Sequence, residues 1–211
     1  HVNIEQSLYF VDNQSHKQKL LHHFLEGEDV NQAIIFTATK RQADKLSDDL
    51  YDLNIKSSSL HGDMSQGSRT KTINRFKRNE IKVLVATDLA SRGIDVKHIT
   101  HVINYDLPRF AEDYVHRIGR TGRANKKGLA ISLVNATDRD LLRKVERFTN
   151  LKIEVKSVPG MEAKNTQSDS PTRKKGRSGK KRPFFKSAKS FKNQSNAQKR
   201  MKSKGPKASV A

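Results

Sequence analysis

Five short runs, Gln6 to Val11, Ala33 to Thr37, Lys82 to Thr87, His101 to Tyr105 and Leu129 to Val134, read as β-strands, and several are apolar without interruption. A strand with apolar side chains on both faces has to be covered on both faces. Between the runs lie segments with helical starts. Ser15 with Gln18, Thr39 with Gln42 and Thr137 with Asp140 have capping-box spacing, with Asp in place of Glu or Gln in the last. The pattern predicts a helix over Lys40 to Leu53 with Ala43, Leu46, Leu50 and Leu53 on one face, and a more polar one over Ser65 to Asn79 carrying Ile73 and Phe76. Strand and helix alternate throughout. That alternation predicts an α/β fold, a parallel sheet with helices on both faces and ligands at the carboxyl ends of its strands. No internal repeat is visible.

Composition narrows the class. The chain of 211 residues carries 42 Lys or Arg against 22 Asp or Glu, a formal charge of +20. Its longest apolar runs, Ala33 to Phe36, Val83 to Ala86 and Leu129 to Val134, fall far short of the roughly 20 residues that span a bilayer, so no membrane partner is expected. With no Cys there is no disulfide framework and no thiolate metal site, which fits a reducing, cytoplasmic setting. The chain starts at His1 without a charged-then-apolar leader, and a fragment of a longer protein is expected.

The charge is concentrated. From Gly160 onward there are 16 Lys or Arg against Glu162 and Asp169, with no Leu or Ile, one Val and three Phe. Such a stretch lacks the apolar surface to offset its chain entropy and is expected to stay disordered. The expected organisation is one domain over 1–159, with a boundary near Pro159, and a Lys/Arg-rich tail over 160–211.

Three segments carry chemistry. In YVHRIGRTGR, Tyr114 to Arg123, the spacing of three between Arg117, Arg120 and Arg123 lets one helical turn present three guanidinium forks to a multiply charged anion. A solvated basic helix is the bland alternative, made less attractive by glycines that cost a helix about 1 kcal/mol each. In VLVATDLASRGID, Val83 to Asp95, an apolar strand ends in Thr87 and Asp88. A turn follows in which Gly93 lets backbone approach a ligand and Asp95 can accept from a sugar hydroxyl, unless it is only a turn cap. In LHGDMSQGSR, Leu60 to Arg69, a strand end leads through His61, Gly62 and Asp63 into a helix start at Ser65. There Gln66 and Arg69 share a face suited to a nucleic-acid backbone. No cluster of His and carboxylates has metal-ligand spacing.

These segments, with IIFTATKRQAD from Ile34, occur in the order and spacing of the second RecA-like domain of DEAD-box RNA helicases, and the resemblance covers about residues 4 to 158. It implies that Arg120 and Arg123 reach the triphosphate of ATP, Arg123 as the arginine finger. It places Asp95 near the ribose with Gly93 beside it. It puts Thr39, Gly62, Gln66, Arg69, Thr87 and Asp88 against the RNA backbone, and Arg92, His116 and Arg117 between the two lobes. Ser91 occupies a position where the family has Ala or Ser.

The family's G-x-x-x-x-G-K-[ST] loop and its Asp-Glu-Ala-Asp sequence are absent from this chain. Gly176, Gly179 and Lys180 only mimic the first, because the glycines are too close and Lys181 replaces the hydroxyl residue. The resemblance therefore implies a preceding lobe of the same protein that holds ATP with Mg2+, and a chain that is inactive by itself. RNA, single-stranded and duplex, is the implied partner, with little sequence preference. In the tail, Phe184, Phe185 and Phe191 among Lys and Arg suit a non-specific RNA tether. The matching lobe of a DNA helicase and a non-catalytic nucleic-acid chaperone acting through the tail remain the other two readings.

Overall fold

The computed structural model describes residues 3–94, 96, 98–123 and 126–164. The Asp95 expectation and the basic segments from 165 onward lie outside the described residues.

Among the described residues seven strands form one all-parallel sheet in the order β3-β4-β2-β5-β6-β1-β7. They are β1 (Ile4–Phe10), β2 (Ala33–Phe36), β3 (Ser57–Leu60), β4 (Val83–Ala86), β5 (His101–Asn104), β6 (Gly128–Val134) and β7 (Glu154–Val155). The five expected strands are all present. β2, β4 and β5 are buried along their whole length, which is why β2 and β4 are apolar without alternation, while β5 buries His101 and Asn104 at its two ends. The two further strands lie at the sheet edges, where SSSL in β3 and the exposed pair in β7 need no apolar character.

Among the described residues six α-helices cover the sheet: α1 (Gln14–Leu25), α2 (Lys40–Asp52), α3 (Gln66–Lys77), α4 (Asp88–Ser91), α5 (Ala111–Ile118) and α6 (Arg139–Thr149). Both faces carry a core. Leu20, Leu21, Leu25, Ala43, Leu46 and Leu50 pack with Ile35, Val85 and Ile103 on one side, while Phe76, Ile81, Ala90 and Ile94 pack with Ile34, Leu84 and Val102. Burial of this kind contributes about 1.5–3 kcal/mol per large apolar side chain.

Three local expectations are corrected. α1 is capped by Asn13, whose side chain accepts the His16 N–H, so Ser15 lies inside the helix. Asn135 and Asp138 form the capping box ahead of α6, where Thr137 and Asp140 were expected to do so. Leu53 falls one residue past α2 and is exposed, because the helix ends before its turn reaches the core. Thr39 caps α2 through the Gln42 N–H, as its spacing predicts.

Candidate functional site

Strand order decides what meets at the carboxyl rim. β3, β4 and β2 are neighbours, so the segments that follow them lie side by side. They carry Gly62, Gln66 and Arg69 after β3, Thr87 and Asp88 after β4, and Thr39 after β2. All six residues are exposed or half-buried, and the structure brings them to one rim.

The rim is braced from within. His61 is buried, and its Nε2 lies 2.8 Å from Asp44 Oδ1, which also accepts the Ser59 hydroxyl at 2.6 Å. This holds the turn beneath Gly62. Lys40 pairs with Asp63 across two loops, and the bond keeps the Asp63 carboxyl below its ordinary range. Ser65 caps α3 through the Ser68 N–H. Arg69 Nη2 donates to the Ala90 carbonyl at 3.2 Å, tying α3 to α4.

Arg117 overturns the expectation that three arginines fan out from one helical turn. It is 2% exposed. Its Nε and Nη2 grip Asp88 at 2.5 and 2.8 Å, and Nη1 donates to Asn104 Oδ1 at 3.1 Å and the Asp106 carbonyl at 2.6 Å. The guanidinium lies 4.8 Å over the Phe36 ring. This fork is spent inside the domain. α5 ends at Ile118, and the chain turns away through Arg120 N–H to the Arg117 carbonyl and Thr121 N–H to the Ile118 carbonyl. Once the helix stops, a spacing of three no longer marks a common face.

Beyond that end Arg120 and Arg123 part. Arg120 Nη1 donates to the Ile94 carbonyl at 2.9 Å, and the residue borders a concavity of about 410 Å³ with Asp88, Arg92, Asp113, His116 and Arg117. Arg92 and His116 are mostly exposed and lie 3.7 and 3.8 Å from Asp113. Arg123 Nε donates to the Gly119 carbonyl at 3.0 Å, and the side chain borders a separate cavity of about 650 Å³ with Lys82, His98, Lys126 and Lys127. Gly93, at φ +80°, is exposed with open space where a Cβ would sit.

The turn itself is fixed by residues that spacing did not single out. Thr121 is buried, and its hydroxyl faces the Ile99 and Thr100 carbonyls at 2.6 and 3.0 Å. Gly122 adopts φ +66°, and Gly128 leaves no room for a Cβ against Gly122 and Thr121. Tyr114 anchors α5 by donating to Gln6 Oε1 at 2.9 Å, and burial pushes its phenol up to about 12. Asp106 joins three elements, accepting Lys17 Nζ at 2.8 Å and the Ala38 N–H at 2.9 Å through its carboxylate, and Arg117 through its carbonyl. No local sequence signal marks it, because its partners come from α1, the β2 exit and α5. Among the described residues no group of three His, Cys, Asp or Glu is placed to hold a metal, and no helix is long and apolar enough to cross a membrane.

A parallel sheet with its polar residues gathered on the carboxyl rim, and with an arginine-bearing turn after the fifth helix, defines a RecA-like lobe. The family model described as Helicase conserved C-terminal domain matches residues 16–125. The chain belongs to that family, as the C-terminal RecA-like lobe of the DEAD-box RNA helicase type. It is 44% identical over 159 residues to the ATP-dependent RNA helicase SrmB of Haemophilus influenzae, covering 75% of this chain and 36% of that protein. The structure of E. coli SrmB bound to regulator of ribonuclease activity A superposes with a TM-score of 0.73 at 40% identity, covering 76% of this chain and 95% of that one. S. cerevisiae Dbp5 bound to RNA and ADP BeF3 superposes with a TM-score of 0.67 at 33% identity, over 73% of this chain and 41% of that one. The chain spans about a third of the length of the curated relatives it matches.

Proposed function

We propose that in the complete protein this lobe closes on a preceding RecA-like lobe, supplies Arg120 and Arg123 to the phosphates of ATP, and presents its carboxyl rim to the RNA backbone. One observation carries the reading. Thr39, Gly62, Gln66, Arg69, Thr87 and Asp88 converge on three adjacent strand ends, and Arg117 ties that rim to the turn bearing Arg120 and Arg123. A structural neighbour described with RNA and ADP BeF3 bound supports the same ligand pair.

Guanidinium forks suit phosphate oxygens, because their planar donors bind bidentately and stay charged at every working pH. On closure Arg120 and Arg123 would donate to oxygens on which charge develops as the terminal phosphoryl group leaves. Such a contribution is worth roughly 10³ to 10⁵ in rate. Magnesium belongs to the preceding lobe on this reading, and Gly93 with Asp95 borders the ribose. Arg92 and His116, exposed beside Asp113, face the opposing lobe. RNA and ATP both favour the closed form, so each raises the affinity for the other. The rim's contacts are to backbone, which leaves little sequence preference.

The test is Arg123→Ala in the full-length protein. It should abolish RNA-stimulated ATP hydrolysis while leaving ATP binding largely intact, and undiminished turnover would refute the assignment. The 211-residue chain alone should show no measurable ATPase.

A further inference from the structure

Phe110 sits at the N-cap of α5 with extended backbone, φ −109° and ψ 134°, and no side-chain hydrogen bond to the first turn. That position ordinarily goes to Ser, Thr, Asp or Asn, whose oxygen accepts one of the free N–H groups at a helix start. A Phe gives up the cap, and here it does not pack either, since the residue is 68% exposed. The fold gains from neither half of that choice.

Its surroundings suggest what does. Leu89, on α4, is 69% exposed, and two contacts hold α4 against α5. Arg92 at the end of α4 lies 3.7 Å from Asp113 in the first turn of α5, and Arg117 grips Asp88, the neighbour of Leu89. Asp106, at the start of the loop that ends in Phe110, accepts the N–H of Ala38 beside Thr39. The segments that carry these two exposed apolar residues therefore border the same rim as Thr39, Thr87 and Asp88. Arg109, next to the ring, is exposed as well.

We infer that Phe110 is a stacking lip for an unpaired RNA base. The backbone of the strand would lie along the polar rim, while one base turns out onto the ring. The inference rests on the rim being an RNA surface. Stacking of this kind accepts any base, because every base has a π-face. It would hold a strand that has left its duplex more tightly than a paired one, whose bases are not available to the ring.

The test uses the 211-residue chain and single-stranded RNA carrying 2-aminopurine at successive positions, with fluorescence quenching reporting stacking. The wild type should quench the probe at one position. Phe110→Ser should remove that quenching and weaken binding by roughly 5- to 100-fold, while raising the thermal unfolding midpoint, because serine restores the cap. Phe110→Trp should keep both the quenching and the affinity. Arg69→Gln serves as the control for the rim and should weaken binding with a shallower salt dependence. If Arg69→Gln weakens binding and Phe110→Ser does not, the lip is wrong and the RNA surface stands. If neither variant changes binding, the RNA surface fails with it. A fall in both affinity and unfolding midpoint in Phe110→Ser would make the ring a structural element and overturn the proposal.

Discussion

Replacing Arg117 with alanine should cost the lobe more stability than any substitution on its surface. The side chain is 2% exposed and satisfies three groups at once, and its loss strands each of them differently. Asn104 is fully buried, and leaving its Oδ1 without a donor costs about 1–3 kcal/mol. Breaking a buried ion pair from one side costs about 3–5 kcal/mol. The Asp88 side chain is 30% exposed, so water recovers part of that, and about 2 kcal/mol is the fitting figure. The cation over Phe36 adds about 1 kcal/mol. The sum is about 4–6 kcal/mol, a large fraction of the roughly 5–15 kcal/mol that keeps a domain folded. In urea denaturation, where stability falls by about 1–3 kcal/mol per molar, the midpoint should drop by about 2 M. Arg117→Lys should recover less than half of the loss, since an ammonium cannot make the two-point grip on Asp88 while reaching Asn104. In a double-mutant cycle, Arg117→Ala and Asp88→Ala should be coupled by more than about 1 kcal/mol. A total loss below about 1 kcal/mol, or additive single effects, would refute the claim that this fork acts inside the domain.

Two further outcomes follow from the packing. Gly128→Ala places a Cβ against Thr121 and the Gly122 backbone. It should destabilise by about 1–3 kcal/mol in the same urea assay, and a neutral effect would show that the turn bearing Arg123 has room to relax. Burial holds the His101 imidazole below its ordinary value, against a smaller upward pull from Asp29. The unfolded chain therefore takes up a proton first as pH falls below about 6.5. The contribution of His101 is full above that point and is lost on acidification. His101→Gln should flatten that part of the stability profile between about pH 5 and pH 7, and superimposable profiles would exclude it.

How much was legible in the sequence depends on whether the cause was local. β2 and β4 are readable because central parallel strands are apolar on both faces, and Thr39 because a cap acts three residues away. β3 is polar because an edge strand with intermediate burial at Ser57, Ser58 and Ser59 has no apolar demand to meet. Asn13 and Ser15, two residues apart, are both of the capping type, and helical period alone does not choose between them. The deciding contact is His16, whose Nδ1 accepts the Asp12 N–H while Nε2 meets the Met161 carbonyl. Met161 lies 145 positions away. Arg117 is the sharpest case. Its spacing from Arg120 suggested a shared outward face, but its partner Asp88 is 29 residues distant, and a buried ion pair leaves no periodic trace.

That same pair bears on how the rim meets a polyanion. A carboxylate facing phosphates is unfavourable unless it is neutralised, and the Arg117 fork neutralises Asp88 from beneath. Lys40 does the same for Asp63 on the neighbouring loop. The folded rim thus offers hydrogen bonds and shape with little net charge, apart from Arg69 and, at its flank, Arg109. Long-range attraction must come from elsewhere, and most of the chain's excess of +20 lies after Gly160. If the rim binds RNA as proposed, it would set register on the backbone while the basic segment supplied counterion release. Removing residues 165–211 keeps the contacts of Met161 with His16 and of Lys164 with Asp12, so the folded lobe stays intact. RNA affinity should then fall and its salt dependence flatten. Unchanged affinity and slope across salt concentrations would place the electrostatic attraction back on the rim and leave the paired state of Asp88 and Asp63 without that role.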